Sequence, residues 1–242
     1  MTLTPLSKIG AFYASSVGKK IVVAVTAIAL LLFLPGHAIG NLLIFAGPEA
    51  LNAYAEFLHT MGHGAGIWVF RIGILAAFGI HIIATIQLAR QNRAARSDRY
   101  SLKASQRSTL ASRTMIVTGL IIIAFVIFHI LHYTVRVSEE FRELPMAMVD
   151  GREVFDVYSM VILGFQNIPV SIFYILAISL LCVHLTHGVQ SVFQTLGLRS
   201  RKTEGVITLF ARLYTIFVWV GFVIVPLAVV FGLIGLPETA AN

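Results

Sequence analysis

Of the 242 residues, 57% are hydrophobic and only 12% charged, with a net charge of +7 and a mean hydropathy of +0.86. Water-soluble domains run at about 45–50% apolar and about 25% charged, so an ordinary soluble enzyme is excluded and a bilayer is implied. The one cysteine, Cys182, excludes a disulfide framework or a thiolate-held cluster, and no polar stretch is long enough for a soluble domain, so 1–242 reads as one membrane domain.

A helix needs about 20 apolar residues to cross the hydrocarbon, and five segments qualify. The first, 21–45, has no formal charge between Lys20 and Glu49 and holds His37 between Gly36 and Gly40. It lacks a small-residue cleavage signal, so it reads as a retained span rather than a cleaved leader. Beyond it come Glu56, His59 and His63; the two histidines suit either a metal on one helical face or a solvated surface helix. The second span, 67–88, carries His81 one turn after Ala77. The third, 115–135, carries His129 and His132. The fourth, 168–196, lies in the uncharged stretch 157–198 and carries His184 and His187, with Gly188 one turn past His184. The fifth, 213–233, has no histidine. Pro35, Gly119 and Pro226 fall inside spans, where membrane helices tolerate them.

The basic residues set the orientation. Lys8, Lys19 and Lys20 precede the first span; Arg90, Arg93, Arg96, Arg99, Lys103, Arg107 and Arg113 join the second to the third; Arg199, Arg201, Lys202 and Arg212 join the fourth to the fifth. Only Asp98 and Glu204 oppose them on that side, while acids outnumber bases on the other. The expected fold is therefore an all-α bundle of five transmembrane helices, N-terminus cytoplasmic and C-terminus outside. The basic excess is a topology signal rather than a nucleic-acid site.

Ionisable groups inside hydrocarbon are costly, and six histidines lie within the spans. At 1.5 Å per residue, His37 is roughly 26 Å from Lys20 and His129 roughly 24 Å from Arg113, both near the outer leaflet. Measured from outside, His81 is roughly 21 Å below Ile67 and His184 roughly 22 Å below Pro169, nearer the cytoplasm. Two levels, each with one histidine from each of two helices, suit two bis-histidine haems. His132 and His187 lie three residues beyond a proposed ligand and suit their levels equally well, as ligands or as partners of haem propionates.

Several motifs, in this order and spacing, resemble a known family. They are Ser15-Ser16-Val17-Gly18-Lys19-Lys20, Gly36-His37-Ala38-Ile39-Gly40-Asn41-Leu42, Asn52-Ala53-Tyr54-Ala55-Glu56-Phe57-Leu58-His59, Phe128-His129-Ile130-Leu131-His132 and His184-Leu185-Thr186-His187-Gly188-Val189-Gln190-Ser191 followed by Gln194-Thr195-Leu196-Gly197. Over nearly its whole length the chain resembles the five-helix, di-haem cytochrome b anchor subunit of succinate dehydrogenases and fumarate reductases. The resemblance implies axial ligands His37, His81, His129 and His184, paired first with third and second with fourth, so that His132 and His187 stand at the haem edge. It implies two b haems and electron transfer between a quinone, menaquinone by family, and flavoprotein and iron–sulfur subunits on the cytoplasmic face of a bacterial plasma membrane. A higher oligomer of that complex is compatible with it, and the dicarboxylate chemistry belongs to the flavoprotein. Some fumarate reductases of this type use a glutamate two residues before the fourth ligand for proton movement; Cys182 stands here instead and cannot do that work. Glu56 and His59 are candidates for taking quinol protons, set against a plain amphipathic surface helix. The competing functions are a hydrogenase- or formate dehydrogenase-type haem b anchor and a histidine-based proton or metal transporter.

Overall fold

Five long apolar helices dominate the computed structural model, which describes residues 4–95 and 110–237. Arg96, Asp98, Arg99, Lys103 and Arg107 of the basic connection lie outside the described residues. In chain order the elements are α1 (Pro5–Ala14), α2 (Ser16–Leu42), a 3-10 turn (Leu43–Ala46), α3 (Pro48–Thr60), α4 (Ala65–Ala94) and α5 (Leu110–His129). A π-helical segment (Ile130–Val135) follows, then α6 (Glu139–Arg142), β1 (Met146–Val149), β2 (Arg152–Phe155), α7 (Val157–Gln166), α8 (Ile168–Thr195) and α9 (Glu204–Val230). The helices α2, α4, α8 and α9, and α5 with its π-helical continuation, are long and apolar enough to cross a membrane.

Helix starts carry the expected chemistry. The Ser15 hydroxyl accepts from the Gly18 amide at 2.9 Å to open α2, and Asn167 accepts from Val170 at 3.3 Å to open α8. The third span departs from a plain helix: it turns π-helical directly after His129. The fifth begins at Glu204, ahead of the expected 213, because a helix can run on past the hydrocarbon where charges are solvated. Glu204 itself pairs with Arg199 at 2.7 Å. One hairpin interrupts the all-α expectation. β1 and β2 pair antiparallel across Asp150 and Gly151, both at positive φ, the geometry that an Asp-Gly turn favours.

α2 packs on α4, α8 and α9, and α8 packs on α9 and α5. Phe125, Ile162, Tyr174, Ile178, Val218 and Val223 belong to the buried core between them. Leu32, Val69, Ile72 and Leu213 point outward, as side chains facing lipid tails do. At the end where α2 finishes, here the far end, a buried polar knot ties α3 to α7. Asn52 Nδ2 donates to Asp156 Oδ1 at 2.9 Å, Asn52 Oδ1 accepts from the Tyr158 amide at 2.9 Å, and Ser159 Oγ donates to Asp156 Oδ2 at 2.6 Å. At the near end, Lys19 Nζ donates to the carbonyls of Tyr13 and Ala14, the last turn of α1, and Tyr13 donates to Gln87 of α4.

Candidate haem-binding site

Of the four sequence-selected histidines, two meet ring to ring and the other two each meet a threonine of a neighbouring helix. At the far level His37 of α2 meets His129 of α5, with ring centroids 5.9 Å apart and planes at 73°. Phe33 stacks on His37 at 5.1 Å, Phe222 of α9 lies 5.4 Å from it, and Phe125 lies 5.9 Å from His129. The far pair is therefore enclosed in aromatic carbon.

Proline shapes α2 beside this pair. Pro35 has no N–H, so the Leu31 carbonyl one turn earlier loses its helical donor. The Tyr214 hydroxyl of α9 supplies the missing bond at 2.7 Å. A Cβ on Gly221 would come within 3.1 Å of the Ala38 Cβ, so α9 rests closely against the His37 turn. The fifth helix brings no histidine but fixes the helix that carries one.

His132 stays out of the pair. Its ring packs on Tyr133 at 4.2 Å and on Phe141 at 5.0 Å. His129 and His132 both direct Nδ1 at the Tyr174 hydroxyl, at 3.4 and 3.2 Å. The neighbouring Tyr133 hydroxyl is buried without a hydrogen-bond partner.

At the near level stand His81 of α4 and His184 of α8. Each ring is held by a threonine of a neighbouring helix. His81 Nδ1 is 3.2 Å from Thr26 Oγ1 of α2, and His184 Nδ1 is 3.1 Å from Thr118 Oγ1 of α5. Gly119 lies against the His184 ring, where an added Cβ would make an ordinary 3.7 Å contact with Cε1. Thr26 and Thr118 are functional candidates that the sequence reading passed over. Each lies eleven residues before the far-level histidine of its own helix, about three turns and about 16 Å along the axis, and so on the same face. That repeated offset was the available signal.

Other expectations are corrected. His59 and His63 do not share a helical face, because α3 ends at Thr60 and His63 sits at φ 57° between Gly62 and Gly64. Gly40 makes room for the Tyr54 ring, whose Cε1 would lie 2.7 Å from an added Cβ. Gly36 and Gly188 do face open space. His59 is exposed and bonds its own helix at Ala55, and Glu56 is half-buried. The Cys182 thiol is buried against the Thr215 carbonyl at 3.6 Å.

The donor set fits a haem. His37 and His129, whose ring centres lie 5.9 Å apart, would be the residues to supply two imidazole nitrogens to one iron. Among the described residues no three His, Cys, Asp or Glu side chains converge as a metal-binding group. Two nitrogens alone complete an iron centre only where a macrocycle supplies the equatorial ligands. α2 and α5 also make little close backbone contact with each other, and so do α4 and α8.

The sequence model described as succinate dehydrogenase/fumarate reductase transmembrane subunit matches residues 89–225. No curated protein and no solved structure matches the chain.

Proposed function

Because the chain belongs to the succinate dehydrogenase/fumarate reductase transmembrane-subunit family, we propose that it holds two b haems, one between His37 and His129 and one between His81 and His184. The observation that carries this reading is the meeting of His37 and His129 from different helices, with His81 and His184 each held by a threonine of a neighbouring helix at a second level. Bound there, the haems supply one-electron carriers between an iron–sulfur partner and membrane quinone, inferred to be menaquinone.

The chain's own residues provide direction and dryness. Phe33, Phe125 and Phe222 shield the far imidazoles from water, and Tyr174 orients His129. Tyr214 and Gly221 hold the His37 turn from behind. Dicarboxylate chemistry falls to a flavoprotein subunit, docked with its iron–sulfur partner on the cytoplasmic face. The clustering of lysine and arginine before α2, between α4 and α5 and between α8 and α9 supports a cytoplasmic N-terminus, an outer C-terminus and residence in a bacterial plasma membrane. The near level then lies closer to the cytoplasm.

Purification of the complex through this chain tests the reading. A reduced-minus-oxidised spectrum with haem quantification is expected to give two b haems per chain, and mass determination to find the flavoprotein and iron–sulfur subunits. A complex with no haem absorption, as a histidine-based transporter would give, overturns it.

A further inference from the structure

We propose that Thr26 and Thr118 are the positioning residues of the near-level site: each fixes the tautomer and ring direction of one axial imidazole and so sets the reduction potential of the haem between His81 and His184. The proposal rests on the haem reading above.

A threonine hydroxyl has one proton. Thr26 Oγ1 donates it within its own helix, with the Val22 carbonyl at 2.8 Å and the Val23 carbonyl at 3.1 Å. Only its lone pairs remain, so in the 3.2 Å contact with His81 the imidazole Nδ1 is the donor. A neutral imidazole has a single N–H, so Nε2 is left with the lone pair that a metal takes.

The same device recurs on α5. Thr118 Oγ1 donates towards the Thr114 carbonyl at 3.0 Å and the Met115 carbonyl at 3.2 Å, and accepts from His184 Nδ1 at 3.1 Å. Two helices thus present a threonine hydroxyl, already committed to its own helix, to the two histidines of one level. The far level lacks it. His129 shares one phenol with His132, and among the described residues His37 makes no hydrogen bond. Threonines that merely bond back to their own helix are common and would leave a neighbouring cofactor unaffected.

Valine removes the hydroxyl at nearly constant shape and serine restores it, so Thr26→Val, Thr118→Val, their double variant, Thr26→Ser and Thr118→Ser form the test set. Each is purified as the intact complex and titrated by redox potential at the haem absorption, with electron paramagnetic resonance of the ferric state. The near-level haem is identified as the one lost in His81→Ala. An Nδ1–H bonded to an oxygen strengthens imidazole donation to iron and favours the ferric state. Each valine variant is therefore expected to raise the near-level potential and shift that haem's largest g value, the double variant more than either. The other haem is expected to hold, and the serine variants to match wild type. Loss of the near-level haem alone in the valine variants, with retention in the serine variants, supports the same assignment. A double valine variant with wild-type potentials and spectra overturns the proposal. So does a serine variant shifted as far as valine, or a shift confined to the other haem. A wild-type complex without b haem sinks the haem reading itself, before any variant is made.

Discussion

His129 and His132 compete for the Tyr174 hydroxyl, but of the two it is His129 whose ring meets His37. His184 likewise carries the threonine contact that His187 lacks. His129→Ala and His184→Ala are each expected to remove one bis-histidine spectrum, whereas His132→Ala and His187→Ala retain both haems and shift a potential. Absorption and electron paramagnetic resonance of the four variants check this; loss of a haem in His187→Ala with both kept in His184→Ala reverses the assignment on α8. Membrane depth made the two levels legible, because distance from charged flanks converts residue number into height. Depth could not separate neighbours three residues apart, since both lie within about 4.5 Å along the axis. Thr26 and Thr118 escaped notice because threonine is unremarkable in an apolar helix until a neighbour's ring is seen to bond it. The His59–His63 spacing misled because α3 ends at Thr60 and Gly62, at positive φ, turns the chain before His63 is reached.

The five long helices were legible as elements because uncharged runs of this length have few other solutions in a bilayer. Their ends were less so: α9 starts among charges, at Glu204, that mark the interface rather than the helix boundary. The π-helical stretch after His129 leaves no mark in composition. α9 shows how an element without ligands still serves the site. The proline in α2 opens a carbonyl at Leu31, and a tyrosine 183 positions later closes it. Tyr214→Phe is expected to leave that carbonyl unpaired and cost about 1 kcal/mol, within the range of single hydrogen bonds between membrane helices. Thermal unfolding of the detergent-solubilised complex measures it. A midpoint unchanged from wild type would show that the Leu31 carbonyl finds another donor.

For the whole molecule, the near-end charges make a geometric prediction. Crosslinking of the assembled complex is expected to join an iron–sulfur partner to the connections bounded by Arg90 and by Arg199–Lys202, the face where acidic side chains find complementary charge. Crosslinks confined to residues 139–156, at the far end, would reverse the docking face. The order of histidines along the chain has a consequence for biogenesis. His37 meets His129 of the third span, and in the proposed pairing His81 takes His184 of the fourth, so each pair encloses one member of the other in sequence. A chain leaving the ribosome cannot complete the first pair until α5 has emerged, and by then His81 is already in place with its partner still unmade. The second pair closes only when α8 arrives. On that pairing neither site belongs to a hairpin that could mature alone, so capture of the proposed haems is expected only at the last stages of helix insertion.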